Sequence, residues 1–271
     1  RSKDGEELTN IVKYLSDLAV KENIHIKQLW KDKLSNIILS STASLALINS
    51  ISYIKNVTFE NVSILSTQSR TGIIRVMLSE MDGVNFINCT VSQEGSAGNY
   101  MGNIALNKGT LTNINVYSNT VYGQGYVGGV AGFSDKVVFH DINIYSSSIY
   151  GRKLYSYSIG NCIGYIGTGT SASGYNVHGE NLYAHGWNYV GGLFGNNIIA
   201  NNVSVDNVRV SGTNYVAGVS PYASDYSNVS NISGSHIKVY GIGDYIGGLI
   251  GYGSQIANMR IWEDLYLIIL L

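Results

Sequence analysis

The sequence predicts an all-β fold: a parallel β-solenoid, a right-handed β-helix of about eight coils, with an α-helical cap at its N-terminal end. Three observations predict it. An eight-residue apolar unit recurs along most of the chain, a glycine-rich motif alternates with it, and the composition favours strands and tight turns. Of 271 residues 32 are Gly, 21 are Tyr and one is Pro, while charged residues make up only 13%. Gly-rich turns joined to β-branched and tyrosine-rich runs read as short strands.

The cap is assigned to residues 1–36, which hold 13 of the 35 charged side chains. Leu8, Ile11, Val12, Leu15 and Leu18 fall on one face of a helix. Asp4 stands as its N-cap, and Glu6 and Glu7 lie in the first turn, where the helix dipole favours acids. Gln28 to Leu34 reads as a second, short helical stretch. A solenoid has an open edge at each end, and a polar helix over one of them blocks pairing with other chains.

Residues 37–271 form the repeat array. The unit is apolar-x-apolar-x-Asn-apolar-x-apolar, clearest at Val57–Ile64 and Val203–Val210, with looser copies starting at Val84, Ile114, Ile142, Val177, Ile232 and Met259. Successive starts are 27, 30, 28, 35, 26, 29 and 27 residues apart. A period in this range signals a solenoid. Positions 1 and 3 are apolar, and so are 6 and 8. A straight strand would send these pairs to opposite faces, so the core can take both only if the chain bends between them. Asn61, Asn88, Asn181 and Asn207 occupy that bend. Asn tolerates the left-handed conformation, and stacked amides can hydrogen-bond from coil to coil.

The second motif is Tyr-Val-Gly-Gly-Leu-x-Gly. It starts at Tyr126, Tyr189 and Tyr245, with weaker copies at Tyr100, Ser158 and Tyr215. Its paired glycines are Gly128 and Gly129, Gly191 and Gly192, and Gly247 and Gly248. They supply a bulge or tight bend and close backbone packing, and the motif forms the third strand of each coil. Its tyrosines are expected to stack as a ladder. Right-handed winding follows from the general preference for right-handed crossovers.

These alternating motifs resemble GLUG-motif repeats. They are also similar to the N-terminal, non-catalytic repeat region of the immunoglobulin-A-specific zinc metallopeptidases of Gram-positive bacteria, over about residues 50–260. The resemblance implies a secreted or wall-attached protein, and a β-helix that spaces or presents other domains of the same polypeptide. It carries over no catalytic residue. The peptidase needs His-Glu-x-x-His, and none of His25, His140, His178, His185 and His236 stands in that pattern.

Other chemistries find little support. A net charge of −1 gives no case for nucleic acid or an acidic membrane surface, and the apolar run Leu265 to Leu271 is too short to span a bilayer. It reads as a further coil, and the start at Arg1 reads as that of a fragment. Cys89 and Cys162 stand in no metal-ligand or redox spacing and align with inward positions, so they read as buried free thiols. No Gly-rich loop has phosphate-loop spacing, and no cofactor or metal is expected. Asn61, Asn88 and Asn202 are among several Asn-x-Ser/Thr sequons, but the repeat generates these by itself. Asp82, Asp141, Asp206, Asp225 and Asp244 are scattered in phase rather than gathered in one acidic column.

What remains is a set of aromatic residues in and beside the longest coil: Tyr155, Tyr157, Tyr183, His185 and Trp187. Tyr and Trp combine apolar area with a polar tip and suit interfaces and sugars. The leading expectation is a non-catalytic spacer, adhesin or docking platform, engaging a protein or glycan on a host or neighbouring cell surface. The alternatives are a carbohydrate-active β-helix and a substrate-positioning region of a zinc metallopeptidase.

Overall fold

The structure is a computed structural model and describes residues 26–30, 33–41, 46–67, 69–94, 100–135, 138–166, 173–196, 200–223, 229–253 and 256–269. Every strand pairing is parallel, and each strand pairs with its counterpart one turn away. This is a β-solenoid. All eight unit starts form one column: Val57, Val84, Ile114, Ile142, Val177, Val203, Ile232 and Met259 are register partners from turn to turn. The first seven are buried. A second inward column runs Leu39, Ile64, Val91, Val121, Ile149, Ala184, Val210, Val239, Leu267. No single turn could bury such a face alone, so the core exists only through stacking.

The bend inside the unit is real and has a defined backbone conformation. Asn36, Asn61, Asn88, Ser118, Ser146, Asn181, Asn207 and His236 stack as one corner, with φ between 49° and 57°. The corner lies inside continuous strands such as Thr58–Ser66. Its amides bond along the stack. Asn61 Nδ2 donates to Asn36 Oδ1 at 3.0 Å, Asn88 Nδ2 to Asn61 Oδ1 at 2.7 Å, and Asn207 Nδ2 to Asn181 Oδ1 at 2.6 Å. In the sequons at Asn61 and Asn88 the nitrogen that would carry a glycan is therefore already a ladder donor.

A second corner, not expected from the motif, precedes each unit by one residue. It comprises Asn56, Gly83, Asn113, Asp141, Asn176, Asn202, Asn231 and Asn258, with φ between 53° and 65°. Two left-handed residues five apart thus bound a short segment whose first and third residues, such as Val57 and Phe59, face the core.

The glycine-rich motif forms the third limb of the turn. Its inward residues align as Thr71, Met101, Val127, Ile159, Val190, Val216 and Ile246, all buried except the partly buried Ile246. Among the described residues the limb occurs seven times, and the eighth unit, starting at Met259, has no such limb there. About seven turns are complete, rather than eight. At the limb's tip the chain reverses almost on itself. A Cβ on Gly191 would lie 1.9 Å from the Phe194 carbonyl oxygen, and one on Gly192 1.9 Å from that of Gly218 in the next turn. The weaker copies place Asn103 and Asn161 at the second glycine position, and Asn161 Nδ2 donates to the Gly192 carbonyl at 2.9 Å.

The tyrosine ladder forms as expected. Tyr100 stacks on Tyr126, and Tyr189, Tyr215 and Tyr245 stack in succession at centroid distances of 4.5 and 4.6 Å. Ser158 interrupts it.

The N-terminal reading needs correction. In the stretch Gln28 to Leu34, expected to be helical, the described residues 28–30 and 33–34 are strand. Ile26–Trp30 and Lys33–Ser41 are strands paired with Ile48–Lys55 and Thr58–Ser66. Hydrogen bonding to the next turn outweighs the local helical pattern, and stacking begins by Ile26 rather than at residue 37. The helix expected over Leu8 to Leu18 lies outside the described residues. At the other end, Leu265–Ile269 does continue the stack, on Ile237 to Gly241.

Candidate functional site

Beyond the Asn corner of each turn the strand continues with side chains that alternate inward and outward. In the turn carrying Leu182 this strand places Tyr183 and His185 outward and Ala184 toward the core, and just past its end Gly186 faces the core and Trp187 is half-buried on the outward side. Three of the five candidate residues thus share one face. For Tyr155 and Tyr157 the backbone belongs to the strand Ser148–Gly160, and their side chains lie outside the described residues. The insertion in that coil falls here: Gly123 pairs with Gly151, but Gly125 pairs with Ser156.

Stacking extends the face across turns. Tyr183, Arg209, Lys238 and Tyr266 form one row, and His185, Ser211, Tyr240 and Ile268 the next. Trp187, Thr213 and Ile242 form a third, joined by backbone bonds from Thr213 to Trp187 (2.7 Å) and from Ile242 to Thr213 (3.2 Å). Gly186, Gly212 and Gly241 lie between the second and third rows. The second and third rows enclose a groove of about 340 Å³ lined by His185, Trp187, Ser211, Thr213, Tyr240 and Ile242 over the glycine floor, and the first row flanks it. That volume is in the range of small-molecule sites.

The polar geometry of the face is simple. His185 Nδ1 and Ser211 Oγ are 2.8 Å apart. The Arg209 guanidinium lies 5.2 Å from the Tyr240 ring centroid and 6.0 Å from that of Tyr183, and the Lys238 ammonium lies 5.7 Å from that of Tyr266. Both cations are exposed, and neither has a carboxylate partner among the described residues. Tyr122 and Tyr150 stack at 4.6 Å on the preceding turns and continue the aromatic surface, with Tyr150 tilted against Tyr183 at 5.2 Å. Tyr150 and Tyr222, which fall outside the sequence motif, are therefore ladder members too; Tyr222 stacks on Tyr252.

Arg209, Lys238, Tyr240 and Ile242 were not singled out from sequence. The signal was present: Tyr183, Arg209 and Lys238 each stand two residues after the corner residue of their own unit.

A second, polar groove of about 170 Å³ sits at the other corner, lined by Asp141, Asn143, Asn176, His178, Asn202 and Ser204. Asn176 Nδ2 donates to Asp141 Oδ1 at 2.9 Å, and His178 Nδ1 is 2.8 Å from Ser204 Oγ. The carboxylates named in the sequence do not converge among the described residues. Asp82 is held by Asn113 (2.8 Å) and Lys55 (3.0 Å), and these two bonds lower its pKa. Asp206 lies 2.7 Å from His236, whose hydrogen bond lowers the Asp206 pKa, while the bond to Asp206 raises that of His236. Asp225 lies outside the described residues. Among the described residues no group of three His, Cys, Asp or Glu side chains comes together to hold a metal. Cys89 and Cys162 are buried and unpaired at their inward positions, and burial pushes the Cys89 thiol up to about 11 and that of Cys162 higher still.

Neither a family model nor a curated protein matches the chain.

Proposed function

We propose that the chain is a non-catalytic docking module of an extracellular protein, a right-handed solenoid that presents the Tyr183, His185 and Trp187 face to a ligand on another surface. One observation carries this reading: two outward rows line one groove with aromatic and hydroxyl side chains, and the row of Tyr183, Arg209 and Lys238 runs beside it. A rigid stack suits such a task. Its backbone groups are engaged from turn to turn, so the face is organised before any ligand arrives, and little ordering cost remains for binding. The likeness of the motifs to GLUG repeats and to the non-catalytic region of surface metallopeptidases agrees with a spacing and presenting role in a secreted or wall-attached protein.

The test is to assay the full chain against a panel of surface polysaccharides and glycoproteins for binding and for product release together. The expected result is saturable binding without product, weakened by Trp187→Ala and Tyr183→Ala. Turnover abolished by Asp141→Asn would overturn this reading in favour of a carbohydrate-active β-helix.

A further inference from the structure

We infer that the groove beside Trp187 takes an acidic polysaccharide, with sugar rings against the aromatic wall and carboxylate or sulfate groups on Arg209 and Lys238. The inference rests on the docking reading above and adds the chemical class of the ligand.

Charge is the first argument. Arg209 and Lys238 are register partners on adjacent turns, so their strands lie about 4.8 Å apart. Both side chains leave the same face of the sheet, so two like charges share one surface and repel one another. The acids beside the Asn corner are engaged elsewhere: Asp206 bonds Ser235 and His236, and Glu180 accepts from Asn181. Asp244, six residues after Lys238, forms no ion pair with it among the described residues. Glu263 faces His236 at 3.2 Å. The two cations instead lie beside tyrosine rings, which leaves their hydrogen-bond donors available. A ligand with anions repeated along its length relieves the repulsion, and the planar Arg209 fork suits a carboxylate or sulfate.

The shape of the groove is the second argument. Its walls are rows of His185, Ser211 and Tyr240 on one side and Trp187, Thr213 and Ile242 on the other, running along the solenoid axis. A sugar ring has an apolar face and a rim of hydroxyls. Trp187 and Tyr240 match the face, and Ser211, Thr213 and His185 match the rim.

The floor is the third. An extended peptide gains most by adding to a free sheet edge, where backbone donors are open. Here Gly186 N–H already donates to Ser211 O at 3.0 Å and Gly212 N–H to Tyr240 O at 3.0 Å. The floor therefore offers no strand-pairing edge, which favours a saccharide over a peptide.

The experiment is calorimetric titration of the full chain with four probes: an oligogalacturonate, its fully methyl-esterified neutral form, a chondroitin sulfate oligosaccharide, and a poly-glutamate peptide of equal charge. At least one acidic saccharide is expected to bind, more weakly as salt rises. Arg209→Gln and Lys238→Gln should each lower its affinity about two- to fivefold, as exposed ion pairs do. Trp187→Ala should lower it at least about fivefold. The neutral ester should bind more weakly and be indifferent to the two cation substitutions. Circular dichroism of each variant checks that the stack is intact. Three outcomes would overturn the inference: no binding of either acidic saccharide, equal binding of the neutral ester, or equal or tighter binding of poly-glutamate. In the last two cases, loss of that binding in Trp187→Ala would leave the docking face standing while the ligand class falls. Binding untouched by Trp187→Ala would remove both.

Discussion

The reversal at the tip of the glycine motif allows a steric test free of backbone conformational preference. Gly191 does not have positive φ, so alanine there is disfavoured only by space. Its Cβ would lie 1.9 Å from Phe194 O in its own turn, and 2.8 Å from both Val219 O and Pro221 Cδ in the next. Ordinary contacts begin near 3.4 Å. Two separate stretches of backbone would have to retreat, the nearer by more than about 1 Å, and each is pinned by turn-to-turn bonds such as Phe194 N to Val219 O at 2.9 Å. Overpacking costs about 1–3 kcal/mol where side chains can yield, and more where they cannot. We expect Gly191→Ala to cost about 3 kcal/mol or more, which in a chain of this size lowers Tm by roughly 6–12 °C. Gly212→Ala is the control. Its Cβ would meet Val190 Cγ2 at 2.8 Å and Val216 Cγ2 at 3.0 Å, side-chain methyls with freedom to move, so a cost of about 1 kcal/mol is expected. Thermal and urea unfolding of the two variants decides the matter. A Gly191→Ala protein as stable as Gly212→Ala would refute the close-backbone account of the motif.

At Asn61, alanine meets the left-handed penalty of about 1–2 kcal/mol and loses both ladder bonds, whereas glycine loses only the bonds; Asn61→Gly should therefore be the more stable variant in denaturant titration, and the reverse order would contradict the corner assignment. Phe86 stacks on Phe59 at 5.2 Å deep in the core, so Phe86→Ala should cost about 3–5 kcal/mol, measured by chemical denaturation. Cys89 and Cys162, with raised thiol pKa values and complete burial, should resist a thiol-modifying reagent at pH 8 until the chain is unfolded; rapid labelling of the folded protein would show that the core is open. The Asp206–His236 pair sets a pH window. The His236 contribution is present below its ordinary pKa of 6.5 and fades as pH rises through the raised folded value. The Asp206 contribution is present above its ordinary 3.8 and fades as pH falls through the lowered folded value. Because both groups are largely exposed the effect is small, and His236→Gln should flatten the alkaline limb of the stability–pH curve.

Much of the solenoid was legible because its physics is periodic. An inward residue must recur at the same phase in every turn, so the eight unit starts and the Tyr-Val-Gly-Gly runs announce their columns. Asn61 and Asn207 could be placed at a bend because the apolar phase flips across them. The second corner leaves no such mark in the sequence. Asn56, Asp141 and Asn202 precede the unit, where no phase change marks them. Gln28 to Leu34 misled for a related reason: short apolar spacing fits a helix, while the strand that forms draws its hydrogen bonds from residues 25 positions away.

The candidate face divides along the same line. Tyr183, His185 and Trp187 stand out by residue type and alternate in sequence, the first two on one strand and Trp187 just past its end, so their shared side follows from local geometry. Arg209, Lys238 and Tyr240 carry no such mark, and each is far from Trp187 along the chain. The sequence by itself determined the repeat, the inward columns and the positions of the stacked asparagines, since these depend on alternation within one turn. Only the tertiary structure decided which outward side chains become neighbours. That depends on the coil-to-coil register, which unequal loop lengths and the insertion between Gly151 and Ser156 set through backbone hydrogen bonds rather than through any pattern in the side chains.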